Sequence, residues 1–165
     1  MAKVCIIGAG SLVFTRHLMT DILSFPALQD THFTLMDIDK KRLGYSERVA
    51  RRLFQQGGYK KASLETTTNR QKALKGADFV IISILHGGIE VISQDIDIPL
   101  KYGVDQCIGD TLGPGGVFRA LRTIPVMVEI YRDIERICPQ AWVLQYTNPM
   151  AMLCLASYET ARINL

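Results

Sequence analysis

Short, nearly continuous apolar runs alternate along this chain with longer amphipathic ones. No other feature restricts the fold as much. "KVCIIG" (Lys3–Gly8) and "DFVIISIL" (Asp78–Leu85) offer no polar face, so strands built from them are covered on both sides. "FTLMDID" (Phe33–Asp39), "SLETTT" (Ser63–Thr68) and "AWVLQYTN" (Ala141–Asn148) supply three more strands, of which Ser63–Thr68 is the weakest. "LVFTRHLMTDIL" (Leu12–Leu23) spaces its apolar residues for a helix, and Pro26 lies just past its end. A charged helix follows from Lys40 and stops at Gly57-Gly58, and Asn69 caps a short helix before Gly76. A polar helix covers Glu90–Tyr102. Val117–Ile137 is a long helix in which Pro125 predicts a kink or a restart, and "MAMLCLASYETAR" (Met150–Arg162) is the closing helix. Strand–helix alternation with right-handed crossovers implies an α/β fold, a Rossmann-like doubly wound parallel sheet. Ligands of such sheets sit outside the carboxyl ends of the strands, where the glycine-rich stretches other than Gly57-Gly58 fall.

Composition narrows the function classes. The chain has 165 residues, enough for one domain with a real core. Its 19 basic and 16 acidic residues are scattered, without a basic block interleaved with aromatics, which argues against a nucleic-acid partner. Its apolar runs fall short of the ~18 residues of a membrane span, so no membrane partner is expected. "MAKVCIIGAG" has a lysine before an apolar run, but its glycines suit a strand entering a turn better than a signal peptide. Cys5, Cys107, Cys138 and Cys154 stand apart, with no C-x-x-C and no histidine at ligand spacing. They read as reduced, structural thiols of a cytoplasmic protein.

"GAGSLV" (Gly8–Val13) joins the first strand to the first helix. Gly8 allows the tight turn, and Gly10 lets the backbone approach a pyrophosphate held by the helix N-terminus, beside Ser11. Val13 stands where a third glycine would complete G-x-G-x-x-G. Asp37, closing the second strand, is placed to accept both hydroxyls of an adenosine ribose and to repel a 2′-phosphate. The pattern points to a dinucleotide, with NAD ahead of NADP; Lys40, Lys41 and Arg42 keep NADP open. "HGG" (His86–Gly88) follows the fourth strand, where Gly87 lets the backbone pass close to a cofactor and His86 reads as a surface residue. Asn148 ends the fifth strand before Pro149; its amide both donates and accepts, and so can hold a sugar hydroxyl and a nicotinamide edge together. The glycines of "CIGDTLGPGGVFRALRTIP" (Cys107–Pro125) leave room for a phosphate, for a sugar or for nothing at all. No G-K-[ST] makes that loop a nucleotide cradle.

"IGAGS", "LMDID", "GDTLGPGGVFRALRTIP" and "YTNPMAM" together resemble the NAD- and manganese-dependent glycosidases of glycoside hydrolase family four, above all the alpha-galactosidase and alpha-galacturonidase type. The resemblance runs from Lys3 to about Ala156. The family is an exception to the two-carboxylate scheme of glycosidases. It implies oxidation of the sugar at C3 by NAD, loss of the acidified C2 proton and departure of the glycosidic oxygen, with a divalent metal polarising the C2 and C3 oxygens. It places Asp110 and the glycines of that loop beside the sugar, where Asn148 and Arg119 are the further candidate substrate residues; Arg119 or Arg122 meets a charged substituent, braces the loop, or simply pairs with a surface carboxylate. The resemblance puts the manganese ligands and the catalytic base beyond Leu165. Residues 1–165 are then the NAD-binding Rossmann domain, without its last strand and without the catalytic domain, inactive alone and expected to form a homo-oligomer through an open sheet edge, the alternative being a monomer with Arg162–Leu165 folded back over that edge. Two rivals are a 2-hydroxy-acid dehydrogenase fragment and a non-enzymatic NAD-binding module.

Overall fold

The structure is a computed structural model that describes residues 1–165. Five parallel strands form one sheet in the order β3-β2-β1-β4-β5. They are β1 (Lys3–Ile7), β2 (His32–Met36), β3 (Ser63–Thr67), β4 (Phe79–Ile82) and β5 (Trp142–Gln145). The helices are α1 (Leu12–Ser24), α2 (Lys40–Gly57), α3 (Arg70–Leu74), α4 (Glu90–Leu100), α5 (Gly113–Ile137) and α6 (Met150–Thr160), with one 3₁₀ turn at Pro26–Leu28. This is the doubly wound topology expected, and β1 lies at its centre.

Alternation within the strands explains the two cores. Val4, Ile6, Phe33, Leu35 and Ile81 face Met19, Leu23, Leu43 and Ala50 of α1 and α2. Cys5, Ile7, Val80, Ile82 and Val143 face Leu74, Met127, Ile130, Tyr131, Ile134 and Leu153 of α3, α5 and α6. A strand period of two sends neighbouring residues to opposite faces, so each central strand feeds both cores. The β5 strand does so on one face only: Val143 is buried while Trp142 and Leu144 are exposed.

Local signals in the sequence end the helices where expected. Asn69 Oδ1 accepts the Lys72 amide at 2.9 Å, and Gly58 closes α2 in the left-handed region at φ 69°. Two features differ from the sequence reading. The helix does not restart at Pro125: α5 is one run from Gly113 to Ile137. Pro125 and Leu121, four residues earlier, are both on the solvent side, where water can serve the carbonyl that proline leaves without a donor. The helix also begins at Gly113, four residues before the expected Val117. Pro114 suits a first helical turn, and the glycines there are packed tightly enough to override their weak helix propensity.

The outer edge of β5 is not left fully open. After α6 the chain turns back, Asn164 pairs with Trp142 in parallel, and the Val143 amide donates to the Asn164 carbonyl at 2.7 Å. This single rung is the fold-back of residues 162–165 that stood as the alternative to an open edge, and it leaves the edge only partly unsatisfied. Deleting residues 162–165 is expected to raise hydrogen exchange at the Val143 amide by tenfold or more. The Val80 amide, inside the sheet, should keep its protection, and NMR-detected exchange at the two sites checks this.

Candidate cofactor and sugar site

The turn after β1 is closed from three sides. The Gly8 and Ala9 amides both donate to the Met36 carbonyl, at 2.9 and 3.0 Å. Gly8 has φ 86°, and a Cβ there would lie 2.0 Å from the Ser83 carbonyl oxygen, so no other residue fits between β1 and β4. The Ala9 carbonyl accepts from the hydroxyls of Thr15 and Ser46, at 2.9 and 2.6 Å, which pins the turn to α1 and α2. Both hydroxyl groups are buried, and neither stood out in the sequence because nothing local marks a threonine or serine as a turn anchor.

Asp37 sits at the end of β2 with both carboxylate oxygens oriented. Oδ2 accepts the Gly10 amide at 2.7 Å, and Oδ1 accepts the Asp39 amide at 2.9 Å. A Cβ on Gly10 would come within 2.6 Å of Asp37 Oδ2. At the start of α1 the amides of Leu12, Val13 and Phe14 find no acceptor in the chain, and Ser11 caps the helix without a side-chain bond. Three free N–H groups and a helix dipole beside an oriented carboxylate match a pyrophosphate followed by a ribose diol. These residues fit a dinucleotide. Lys40, Lys41 and Arg42 begin α2, where Asp39 caps the Lys41 and Arg42 amides at 2.9 and 3.0 Å.

On the same strand-end surface the structure brings Asn148 to Asp110, 38 residues away in sequence, with Arg119 beside them. Asn148 Nδ2 donates to Asp110 Oδ2 at 3.0 Å, and Arg119 Nη1 lies 3.4 Å from that oxygen. Thr111 donates to Asp110 Oδ1 at 3.1 Å. The end of β5 is locked to β4 by buried Thr147, whose hydroxyl accepts the Ile84 amide at 3.0 Å. Asp110 is therefore a half-buried acceptor with one amide and one guanidinium already aimed at it.

The glycines of the long loop turn out to serve the loop itself. Added Cβ atoms at Gly109 and Gly113 would meet the Gln106 side chain at 3.0 and 2.4 Å. At Gly115 and Gly116 they would meet the Asp95 carbonyl oxygen at 2.6 Å and the Thr111 backbone at 2.9 Å. Gln106 reaches back to the Leu112 carbonyl and the Gly115 amide, both at 3.3 Å. The loop wraps around one glutamine, a partner that sequence spacing cannot reveal.

Arg122 braces that surface. It forms a two-pronged pair with buried Asp95 of α4, at 3.0 and 2.6 Å, and its Nε donates to the His86 carbonyl at 3.4 Å. The Asp95 hydrogen bond, opposed by some burial, holds the Arg122 guanidinium protonated above its ordinary range. Gly87, at φ 89°, packs against the Arg122 side chain, 3.1 Å from where a Cβ would be, while the His86 ring is exposed and unpaired.

Comparison with known proteins decides the family. The model of the family 4 glycosyl hydrolases matches residues 3–164. The chain belongs to that family. An alpha-galactosidase of Rhizobium meliloti (strain 1021) is 42% identical, over 98% of this chain and 33% of its own length. An alpha-galacturonidase of Thermoanaerobacter italicus (strain DSM 9252 / Ab9) is 44% identical, over 96% of this chain and 34% of its own. A 6-phospho-alpha-glucosidase from gut microorganisms, solved with NAD and glucose-6-phosphate, superposes with a TM-score of 0.83 at 29% identity, over 98% of this chain and 38% of that one. This chain thus spans about a third of the length of the curated relatives it matches. A malate dehydrogenase of Picrophilus torridus at 17% identity and a TM-score of 0.68 shares the fold alone.

Within this family 4 chain, no group of three or more His, Cys, Asp or Glu side chains can share a metal ion. The residues present do not fit manganese. The cysteines are all free. Burial pushes the Cys5 thiol up to about 12, with Cys138 nearby adding to it, and the Cys138 thiol up to about 11, so both stay neutral packing groups. Replacing Arg122 by Ala would strand a buried carboxylate. It is expected to cost about 3–5 kcal/mol in urea unfolding, whereas the exposed Arg51–Glu47 pair on α2 contributes at most about 1 kcal/mol.

Proposed function

We propose that residues 1–165 form the NAD-binding portion of a family 4 glycosidase that cleaves an alpha-galactoside-type substrate by transient oxidation of the sugar. The observation that carries this reading is the pairing on one strand-end surface of a turn organised by Asp37 and a polar cluster of Asp110 and Asn148. Membership of the family and relatives solved with NAD support it.

In this reading the free amides of Leu12, Val13 and Phe14, with Gly10 and Ser11, bind the pyrophosphate, and Asp37 accepts the ribose hydroxyls. When bound, NAD supplies a reversible two-electron oxidation of a secondary alcohol. Gly87 lines the nicotinamide side. Asn148 and Asp110 orient the sugar hydroxyls at its edge: the amide can turn one donor to the sugar, and Asp110 keeps lone pairs to accept an O–H. Oxidation at C3 makes the neighbouring C2 proton acidic, and its loss expels the glycosidic oxygen. No group of side chains in this chain fits the manganese of such a reaction. A cytoplasmic setting suits four free cysteines and the requirement for a dinucleotide, and no helix is long and apolar enough to cross a membrane. Self-association remains part of the reading, favoured by exposed Trp142 and Leu144 beside the partly covered edge.

Calorimetric titration of NAD and NADP tests it. NAD should bind at least tenfold more tightly than NADP, because Asp37 faces the position of a 2′-phosphate. Asp37→Ala should weaken NAD by about 1.5–3 kcal/mol, as the loss of hydrogen bonds to a charged acceptor would. Equal affinities, or tighter NADP, would overturn the role of Asp37. No binding of either would overturn the reading itself.

A further inference from the structure

The end of β5 carries a buried amide that no backbone carbonyl meets. Alternate amides of this strand point to opposite sides. Those of Trp142 and Tyr146 donate inward, to the Asp78 and Ile82 carbonyls on the β4 side, both at 2.9 Å. That of Val143 donates outward, to the Asn164 carbonyl at 2.7 Å. The Thr147 amide belongs to the outward series and has no backbone acceptor, although Thr147 is buried. Its partner is the half-buried side chain of Gln145, whose Oε1 accepts it at 3.3 Å.

Gln145 is itself held by α5. Its Nε2 donates to the Tyr131 hydroxyl at 3.0 Å, and that hydroxyl donates to the Leu153 carbonyl at 3.3 Å. Tyr131 is fully buried. Burial, with Cys154 nearby adding to it, holds the Tyr131 phenol protonated well above its ordinary range. The polarity of this chain of bonds is therefore fixed. Only Oε1 of Gln145 can meet an N–H, so Nε2 faces the phenol, whose own proton goes to the carbonyl. The Thr147 hydroxyl completes the frame by accepting the Ile84 amide at 3.0 Å. Next in the chain is Asn148, whose Nδ2 donates to Asp110 Oδ2 at 3.0 Å.

We propose that Gln145 is a positioning residue for the sugar site: by taking the Thr147 amide it sets the direction in which Asn148 presents its side-chain amide to Asp110 and to a sugar hydroxyl. What Asn148 meets there rests on the glycosidase reading above; the role of Gln145 in aiming it does not. A buried amide without an acceptor is costly, so without Gln145 the segment 146–148 turns toward water and Asn148 turns with it. A displacement of about 1 Å at a site of this kind can cost on the order of 100-fold in rate.

The test needs no bound ligand. The side-chain amide signals of Asn148 are followed by proton–nitrogen NMR in three variants. Gln145→Met keeps the volume and removes both hydrogen bonds. The Asn148 proton bonded to Asp110 should then lose its separate shift, and exchange at the Thr147 amide should rise by tenfold or more. Gln145→Glu keeps an acceptor for Thr147 and accepts from the Tyr131 hydroxyl, so it should restore both signals. Tyr131→Phe loosens Gln145 without touching Thr147, and should move the Asn148 signals in the same direction by less. Protection of the Val80 amide should stay unchanged throughout. Unchanged Asn148 signals in Gln145→Met, or in Tyr131→Phe where the first variant does not fold, would overturn the proposal. So would equal losses in Gln145→Met and Gln145→Glu, or losses that extend to the Val80 amide. NAD affinity, titrated separately on each protein, reports on the cofactor reading, so its failure and that of the Gln145 role are told apart.

Discussion

The hydrogen bond from the Gly10 amide to Asp37, 2.7 Å long, ties the turn after β1 to the end of β2, and the strand-end surface is organised around it. Because β1 is central, fixing its turn also fixes the start of α1 and the free amides that point out of it. The turn does not hold itself. Met36 takes two of its amides, Thr15 and Ser46 hold the Ala9 carbonyl, and the Ser83 carbonyl leaves no room for a Cβ at Gly8. Every one of these partners comes from another element, so the site is as rigid as the sheet and helices that deliver them.

The second half of the surface is built differently. Its anchor is a chain of side chains: Asp95 to Arg122, Arg122 to the His86 carbonyl, Gln106 to the glycine-rich loop, and Asn148 to Asp110. Buried Asp95 is fully engaged with Arg122, so that ion pair acts as a strut between α4 and α5. Arg119, one turn earlier, is left with donors to spare. Two arginines in the same motif thus differ in availability through the positions of two aspartates in space.

Much of the fold was legible in the residues. Apolar runs such as Val80–Ile82 have no polar face to turn to water, and so they imply a parallel sheet buried on both sides; Asn69 and Gly58 marked helix ends through local backbone chemistry. The cofactor turn was legible too, because Gly8, Gly10 and Asp37 follow a spacing set by strand–turn–helix geometry. The start of α5 was misplaced by four residues, since propensity alone disfavours a helix in "GPGG" and only packing against Gln106, Thr111 and Asp95 reverses that.

The sequence by itself determined the layer order, the strand-end location of the ligands and the residue types able to meet a dinucleotide and a sugar, because those follow from periodicity and short-range turn chemistry. Only the tertiary structure decided which arginine is a strut and which keeps donors to spare, why the loop needs its glycines, and that Asn164 lies along β5. Those outcomes depend on contacts between residues far apart in the chain, such as Asp110 with Asn148 and Asp95 with Arg122. No local propensity encodes such a contact, because its energy exists only once the sheet has brought the two ends together.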